Sequence, residues 1–207
     1  MVSIVRGEAD ASFIDAVLES ENKTFPKRSM HFLFTENHDL ERAAKVFGPA
    51  HYPMAVLLFT LSGVPMLYNG QEIGELHRPS LFEKEVIDWK DNSGDAAQVK
   101  RFYKKLINFR KGHLSFISGQ RFKVNTSDDR HIYAFACSYR GDAALIAVNL
   151  TPAAFEGTME LPEIFINDKG GLKIKALFPP GNEITPTQSS SVKLNLPAWG
   201  YQIWEAK

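Results

Sequence analysis

Residues 30–42 have the sequence MHFLFTENHDLER, and this stretch decides the fold of the first half of the chain. Residues 30–35 are apolar on both faces apart from their ends, which is typical of a strand covered on both sides in a parallel sheet. Residues 36–42 are abruptly polar. In α/β barrels the active site is built at the carboxyl ends of the strands, from the loops that follow them. We therefore expect residues 36–42 to line a functional site.

The elements around this stretch are predicted to alternate between helix and strand. A helix starts at Ser12, with Asp15 three residues later as in a capping box, and it directs Phe13, Val17 and Leu18 to one side. Further along, the patterns predict a helix over residues 53–61, a strand over 64–69 and a helix over 96–111. This order indicates an α/β fold with a parallel sheet.

From His113 onwards the helical periodicity is replaced by short alternating segments. Arg140-Gly141-Asp142 predicts the turn of a hairpin between strands over 133–139 and 143–149. Four more strands are predicted, over residues 155–161, 172–178, 192–196 and 201–204. Short strands at this spacing predict an antiparallel β-sandwich. The sequence therefore predicts an α/β domain over residues 1–112 and an all-β domain over residues 113–207.

Composition excludes several classes of function. Of the 207 residues, 44% are hydrophobic, and the 24 Lys and Arg balance the 24 Asp and Glu. This balance predicts no nucleic-acid partner and no attraction to an anionic membrane. The most apolar stretch, 54–64, has the length of a core helix, so no membrane span is predicted. The single cysteine, Cys137, excludes an intramolecular disulfide and is expected to be a small buried residue, and the scattered histidines predict no metal site.

The polar tripeptide Asn37-His38-Asp39 is the strongest candidate for chemistry. Carboxylates, an imidazole and a guanidinium at the end of a strand suit the recognition of a polyol, because charged groups form strong hydrogen bonds to sugar hydroxyls. A carboxylate also stabilises a positively charged transition state. The alternative is a polar turn that caps the next helix, since Asn and Asp favour such positions.

Several further segments accompany this tripeptide in a familiar order. They are GVPMLYNGQEIG at 63–74, LFEK at 81–84, IDW at 87–89 and PAWGY at 197–201. Together with Asn37-His38-Asp39, they resemble the α-amylase family, glycoside hydrolase family 13. The resemblance implies the C-terminal portion of a (β/α)8 TIM barrel, its last two strands and helices, followed by an antiparallel β-sandwich domain.

The resemblance also implies roles for individual residues. Asp39 matches the third acidic residue of the family's active site, which stabilises the transition state, and His38 matches a histidine that binds the same sugar. Arg42 is assigned to substrate binding, with a structural role beside Asp39 as an equal alternative. Residues 72–78 are expected to shape the site of the leaving group or acceptor, and Gln71 is expected to brace its loop.

Two catalytic groups expected of this family have no counterpart in the sequence. Retaining glycosidases use a nucleophile and a general acid about 5 Å apart, and the resemblance assigns both to earlier barrel strands. We therefore expect the 207-residue chain alone to be inactive and to need the missing barrel strands, in cis or from another chain. The same strands would pair edges that two barrel strands leave open.

The sequence thus predicts part of a retaining enzyme that cleaves or transfers α-glucosidic bonds in α-glucans such as starch or in maltooligosaccharides. The alternative is a non-catalytic amylase-like ancillary protein or a carbohydrate-binding protein. No cofactor is predicted from the visible residues, although the resemblance is compatible with calcium in the complete protein. Localisation is left open.

Overall fold

The computed structural model describes residues 1–26, 29–89, 94–166, 174–181, 184 and 191–206. Its helices are α1 (Val2–Val5), α2 (Ser12–Thr24), α3 (Ala43–Phe47), α4 (His51–Thr60), α5 (Gly94–Gly112) and α6 (Ser115–Ser118). Its strands are β1 (Phe32–Leu33), β2 (Val64–Pro65), β3 (Gln120–Val124), β4 (Ile132–Tyr139), β5 (Asp142–Asn149), β6 (Phe155–Glu160), β7 (Ile174–Phe178), β8 (Ser191–Leu196) and β9 (Tyr201–Ala206). In the described part of the chain, no helix combines the length and the apolar character needed to cross a bilayer.

The chain divides into two compact units. Residues 30–112 form one, here called the α/β unit, and residues 3–29 with 113–207 form the other, called the β unit. The change between Gly112 and His113 coincides with the predicted boundary. Residues 3–29 differ from the prediction, because they pack with the β unit rather than with the strands that follow them. The assignment of residues 1–112 to a barrel segment stays a prediction.

The α/β unit contains a short parallel pair of strands. Phe32 pairs with Val64 and Leu33 with Pro65. The Val64 N–H donates to the His31 carbonyl at 2.8 Å, and the Met66 N–H donates to the Leu33 carbonyl at 2.8 Å. Both strands are shorter than the predicted spans 30–35 and 64–69. Among the described residues, β1 and β2 pair only with each other, and the sheet has two strands.

The two long helices of the α/β unit follow the predicted patterns closely. Helix α4 is buried from Pro53 to Thr60, as expected for a helix that is apolar all round. Helix α5 buries one stripe, and its predicted members are all buried: Val99, Phe102, Tyr103 and Leu106. The position just past the predicted end, Gly112, is the last residue of the helix.

The β unit is built on a five-stranded antiparallel sheet with the order β3-β4-β5-β9-β7 and a separate pair, β6-β8. The predicted hairpin is confirmed, with Tyr139 opposite Asp142. Its two loop residues, Arg140 at φ 49° and Gly141 at φ 88°, both have positive φ, as a type I′ turn requires. Residues 172 and 173 of one predicted strand lie outside the described residues.

One core fills the β unit. It includes Ala134, Leu145 and Trp204 from the five-stranded sheet and Met159 and Leu194 from the pair. Cys137 is buried, as predicted. The two sheets of the β unit thus share one core, whereas the description of residues 113–207 as a sandwich remains a prediction.

Helix α2 begins at Ser12 as predicted, but its contacts differ from the prediction. The predicted capping box at Ser12 and Asp15 does not form. The Ser12 N–H instead donates to the Asp10 carboxylate at 3.0 Å. Asp15 is engaged elsewhere, accepting hydrogen bonds from Arg121 at 2.9 Å and from the Tyr133 hydroxyl at 2.7 Å. The helix buries Ile14, whereas Phe13 and Val17, two of the three residues predicted to share one side, are exposed.

Candidate active site

The candidate site lies where β1 and β2 end. We call residues 34–42 the first loop and residues 66–78 the second loop. Because β1 and β2 are parallel neighbours, their carboxyl ends meet at one edge, and the two loops start side by side. All the residues assigned to chemistry from the sequence belong to the first loop.

Asn37 shapes the first loop. Its side-chain Oδ1 accepts the backbone N–H of Asp39 at 2.9 Å and that of Leu40 at 3.1 Å. An Asn that bonds the backbone two residues ahead forms an Asx turn. The turn reading of Asn37-His38-Asp39 is therefore correct for Asn37, and the turn leaves the side chains of the next two residues exposed.

His38 and Asp39 are the exposed pair of the site. The His38 Nε2 lies 3.1 Å from the Asp39 Oδ2, and the two side chains keep 68% and 58% of their surface accessible. An exposed carboxylate can accept hydrogen bonds from two hydroxyl groups, and the neighbouring imidazole can donate or accept one more. This geometry suits a ligand rich in hydroxyl groups.

Arg42, assigned to substrate binding, is buried. Its Nη1 lies 2.8 Å from Glu36 Oε1, with 3% and 1% of the two side chains accessible. Its Nε donates to the His77 carbonyl at 2.8 Å and its Nη1 to the Asn69 carbonyl at 2.7 Å. The guanidinium is thus engaged with the protein, as in the structural alternative. Its assignment as a sugar contact stays an untested prediction.

Like Arg42, Glu36 is buried, which the sequence did not predict. Its Oε2 accepts the Ala43 N–H at 2.6 Å at the start of α3. Burial raises the pKa of Glu36, while the Arg42 guanidinium and the Ala43 N–H act in the opposite direction. A carboxylate placed this deep is held by its partners and is removed from the accessible surface.

Arg78, on the second loop, was missed as an individual residue. Its Nη2 donates to the backbone carbonyl of Asp39 at 2.7 Å, and its side chain is 45% accessible. The only sequence signal was its place in the segment 72–78 that was expected to shape the site. Local sequence patterns do not predict a contact between residues that lie 39 positions apart.

Gln71 braces the second loop, as predicted. Its Nε2 donates to the Thr35 hydroxyl at 2.7 Å and to the Tyr103 hydroxyl at 3.0 Å. Its Oε1 accepts the Tyr68 N–H at 3.1 Å. One buried amide therefore joins the ends of both strands to helix α5. Burial also raises the pKa of the Tyr103 hydroxyl beyond its ordinary range.

No metal-binding cluster is present among the described residues. They contain no group of three or more His, Cys, Asp or Glu side chains arranged to hold an ion. Calcium in the complete protein stays a prediction.

Residues 8–93 match the family model of the α-amylase catalytic domain. This match contains both strand-end loops and the Asn37-His38-Asp39 turn. The family model thus assigns residues 8–93 to the α-amylase family. It is similar to the α-amylase MalA of Haloarcula japonica, with 28% identity over 169 residues, which cover 74% of this chain and 24% of that protein.

Solved structures share the fold of this chain. The noncanonic maltogenic α-amylase AmyB of Thermotoga neapolitana superposes with a TM-score of 0.79 at 18% identity, over 98% of this chain and 47% of that one. AmyP in complex with maltose superposes with a TM-score of 0.77 at 14% identity, over 96% of this chain and 45% of that one. The chain thus spans about a quarter of the length of MalA and about half of the length of these structures.

Proposed function

We propose that this chain is part of a retaining α-glucan-active glycosidase that cleaves or transfers α-glucosidic bonds in α-glucans or maltooligosaccharides. The observation that carries the proposal is the exposed His38–Asp39 pair at the carboxyl end of a parallel strand, with 3.1 Å between Nε2 and Oδ2. The named activities of similar proteins and the maltose bound to AmyP support the choice of substrate class.

In this proposal Asp39 binds the sugar ring whose bond is cleaved. Its carboxylate accepts hydrogen bonds from ring hydroxyls and opposes the positive charge that develops as the glycosidic bond breaks. His38 binds the same sugar and orients the Asp39 carboxylate through their contact. Neither residue attacks the sugar or protonates the leaving oxygen.

The nucleophile and the general acid are supplied by residues outside this sequence. They lie on barrel strands that are contributed in cis or by another chain, and they complete the pair of carboxyl groups that retention requires. The 207-residue chain is therefore inactive alone. Purified chain should release no reducing sugar from maltooligosaccharides, whereas the complete protein should; turnover by the chain alone would contradict this arrangement.

The test of the proposal is Asp39→Asn in the complete protein. Asparagine has the same shape but no charge, so kcat on maltooligosaccharides should fall by roughly 10³-fold or more because the transition state loses its electrostatic partner. The unfolding midpoint should stay unchanged, because the side chain is 58% accessible. Near-normal turnover would overturn the role of Asp39, and a complete protein without glycosidase activity would favour the carbohydrate-binding alternative.

A further inference from the structure

Two arginines connect the first and second loops in opposite directions. Arg42 extends from the first loop and donates to the carbonyls of Asn69 and His77 in the second, at 2.7 and 2.8 Å. Arg78 extends from the second loop and donates to the carbonyl of Asp39 in the first, at 2.7 Å. Each loop therefore supplies a guanidinium that holds the backbone of the other.

The Arg42 half of this connection is buried and neutralised. An unpaired guanidinium at this depth would be strongly unfavourable, and Glu36 removes that cost with its contact at 2.8 Å. Buried ion pairs contribute little net stability compared with apolar side chains of similar size. They do impose a defined geometry, because each donor needs its acceptor, and here three acceptors surround one guanidinium: Glu36 Oε1, the Asn69 carbonyl and the His77 carbonyl.

The Arg78 half acts directly on the backbone of Asp39. The Asp39 carbonyl accepts from Arg78, and the Asp39 N–H donates to Asn37 Oδ1 at 2.9 Å. Both neighbouring peptide groups are thus fixed while the carboxylate itself stays exposed. Catalytic groups need this combination, since an error of about 1 Å in position can cost about 10²-fold in rate.

We propose that Arg78, together with the buried Glu36–Arg42 pair, forms a reciprocal arginine tie that positions the Asp39 carboxylate. These three are positioning residues, because none of them touches the substrate in this account. The inference rests on the proposed role of Asp39. It also replaces the role of Arg42 as a sugar contact with a role in holding the second loop.

Arg78 is the residue on which to test the tie, because its exposed side chain can be changed without opening the core. In the complete enzyme, Arg78→Gln should lower kcat on maltooligosaccharides by roughly 10- to 100-fold and change KM by less than about threefold. Arg78→Lys keeps a donor and should recover part of the loss. The unfolding midpoint of both variants should match that of the parent.

Lys45→Gln is the matched control. Lys45 pairs with Glu41 at 2.9 Å, and Glu41 also lies 3.8 Å from Arg78, so this variant removes a positive charge from the same ion-pair cluster but keeps the Arg78 hydrogen bond to the Asp39 carbonyl. Its kcat should equal that of the parent. An equal loss of kcat in Lys45→Gln and Arg78→Gln would overturn the tie, because it would show a general effect of charge.

Hydrogen exchange separates failure of the tie from failure of the proposed function. The amides of Asp39 and Leu40 should exchange at least about tenfold faster in Arg78→Gln than in the parent, because the turn loses an anchor. Unchanged exchange, or unchanged kcat in a protein that Asp39→Asn inactivates, would overturn the tie and leave the function standing. Faster exchange in a protein that tolerates Asp39→Asn would retain the tie as a structural contact and reject its catalytic role.

Discussion

The two units bury similar strand sequences to very different extents. In the β unit, strand β5 lies between β4 and β9, and it is buried from Ala143 to Asn149. In the α/β unit, β1 comes from an equally apolar stretch, yet Phe32 is 70% exposed. An apolar pattern therefore predicts that a strand is buried in the complete fold. Whether it is buried in a given chain depends on the strands and helices that pack beside it.

The exposed apolar side chains around β1 and β2 fit the proposed function. Met30, Phe34 and Val64 are exposed along with Phe32. In the closed barrel that we propose for the complete protein, further strands would pair with these two and cover such side chains. The β unit needs no such addition, because its sheets already share one core.

The sharpest test of this contrast compares one large side chain from each unit. Trp204 is 1% exposed in the core of the β unit. Trp204→Ala should cost about 3–5 kcal/mol, from the lost burial and the cavity that remains. Hydrogen exchange at the amides of Leu145 and Ile146, on the neighbouring strand, would report the free energy of opening.

Phe32→Ala is the matched change in the α/β unit. It should cost less than about 0.5 kcal/mol in this chain, because the ring is already exposed. In the complete protein the same change should become several-fold more costly if further strands cover the ring. Equal losses for Trp204→Ala and Phe32→Ala in the isolated chain would show that the two units are equally well covered, and would break the comparison.

Local chemistry predicted the elements that depend on few residues. The hairpin at Arg140-Gly141 follows from a two-residue turn whose pairing is set by adjacent positions. The buried stripe of α5, which includes Leu106, follows from its periodicity alone. The exposed turn at His38 and Asp39 also follows, because the type of each residue and the preceding strand were enough to locate it.

The errors arise where distant residues decide. Asp15 had the spacing of a helix cap, but Arg121, 106 positions away, holds it with Tyr133. Phe13, on the same helix, is exposed. The partners of Arg42 were equally hidden, because the second-loop carbonyls that accept its hydrogen bonds lie far along the chain; its assignment to the sugar stays an untested prediction. A sequence pattern carries no information on such partners.

The buried Arg110 binds the backbone at the end of helix α4. Arg110 donates to the carbonyls of Phe59 at 2.8 Å and Leu61 at 3.2 Å, and also to that of Gly63. These carbonyls lie at and beyond the end of α4, where helical partners are lacking. Arg110→Met should therefore cost about 2–4 kcal/mol, because it leaves buried acceptors unpaired.

Arg101→Met is the control for Arg110→Met, since Arg101 is an exposed residue on the same helix. It should change the unfolding free energy by less than about 0.5 kcal/mol. Hydrogen exchange of the α4 amides would measure the unfolding free energy of both variants. If Arg110→Met has only a small effect on the unfolding free energy, these hydrogen bonds do not stabilise the α/β unit. The helices would then not make up for the stability lost at the two strand edges that are unpaired among the described residues.

The stability of the α/β unit should also depend on pH through His51. Burial lowers the pKa of His51 from 6.5 to about 4. Between these values the unfolded chain binds a proton at His51 that the folded unit does not, so stability falls as the pH falls through this window. The loss should reach at most on the order of 3 kcal/mol near pH 4.

This loss of stability should be absent in His51→Gln, as measured by exchange of the α4 amides between pH 7 and pH 4.5. An identical acid sensitivity in parent and variant would assign the effect to other groups, and greater stability of the parent at low pH would contradict the sign of the shift.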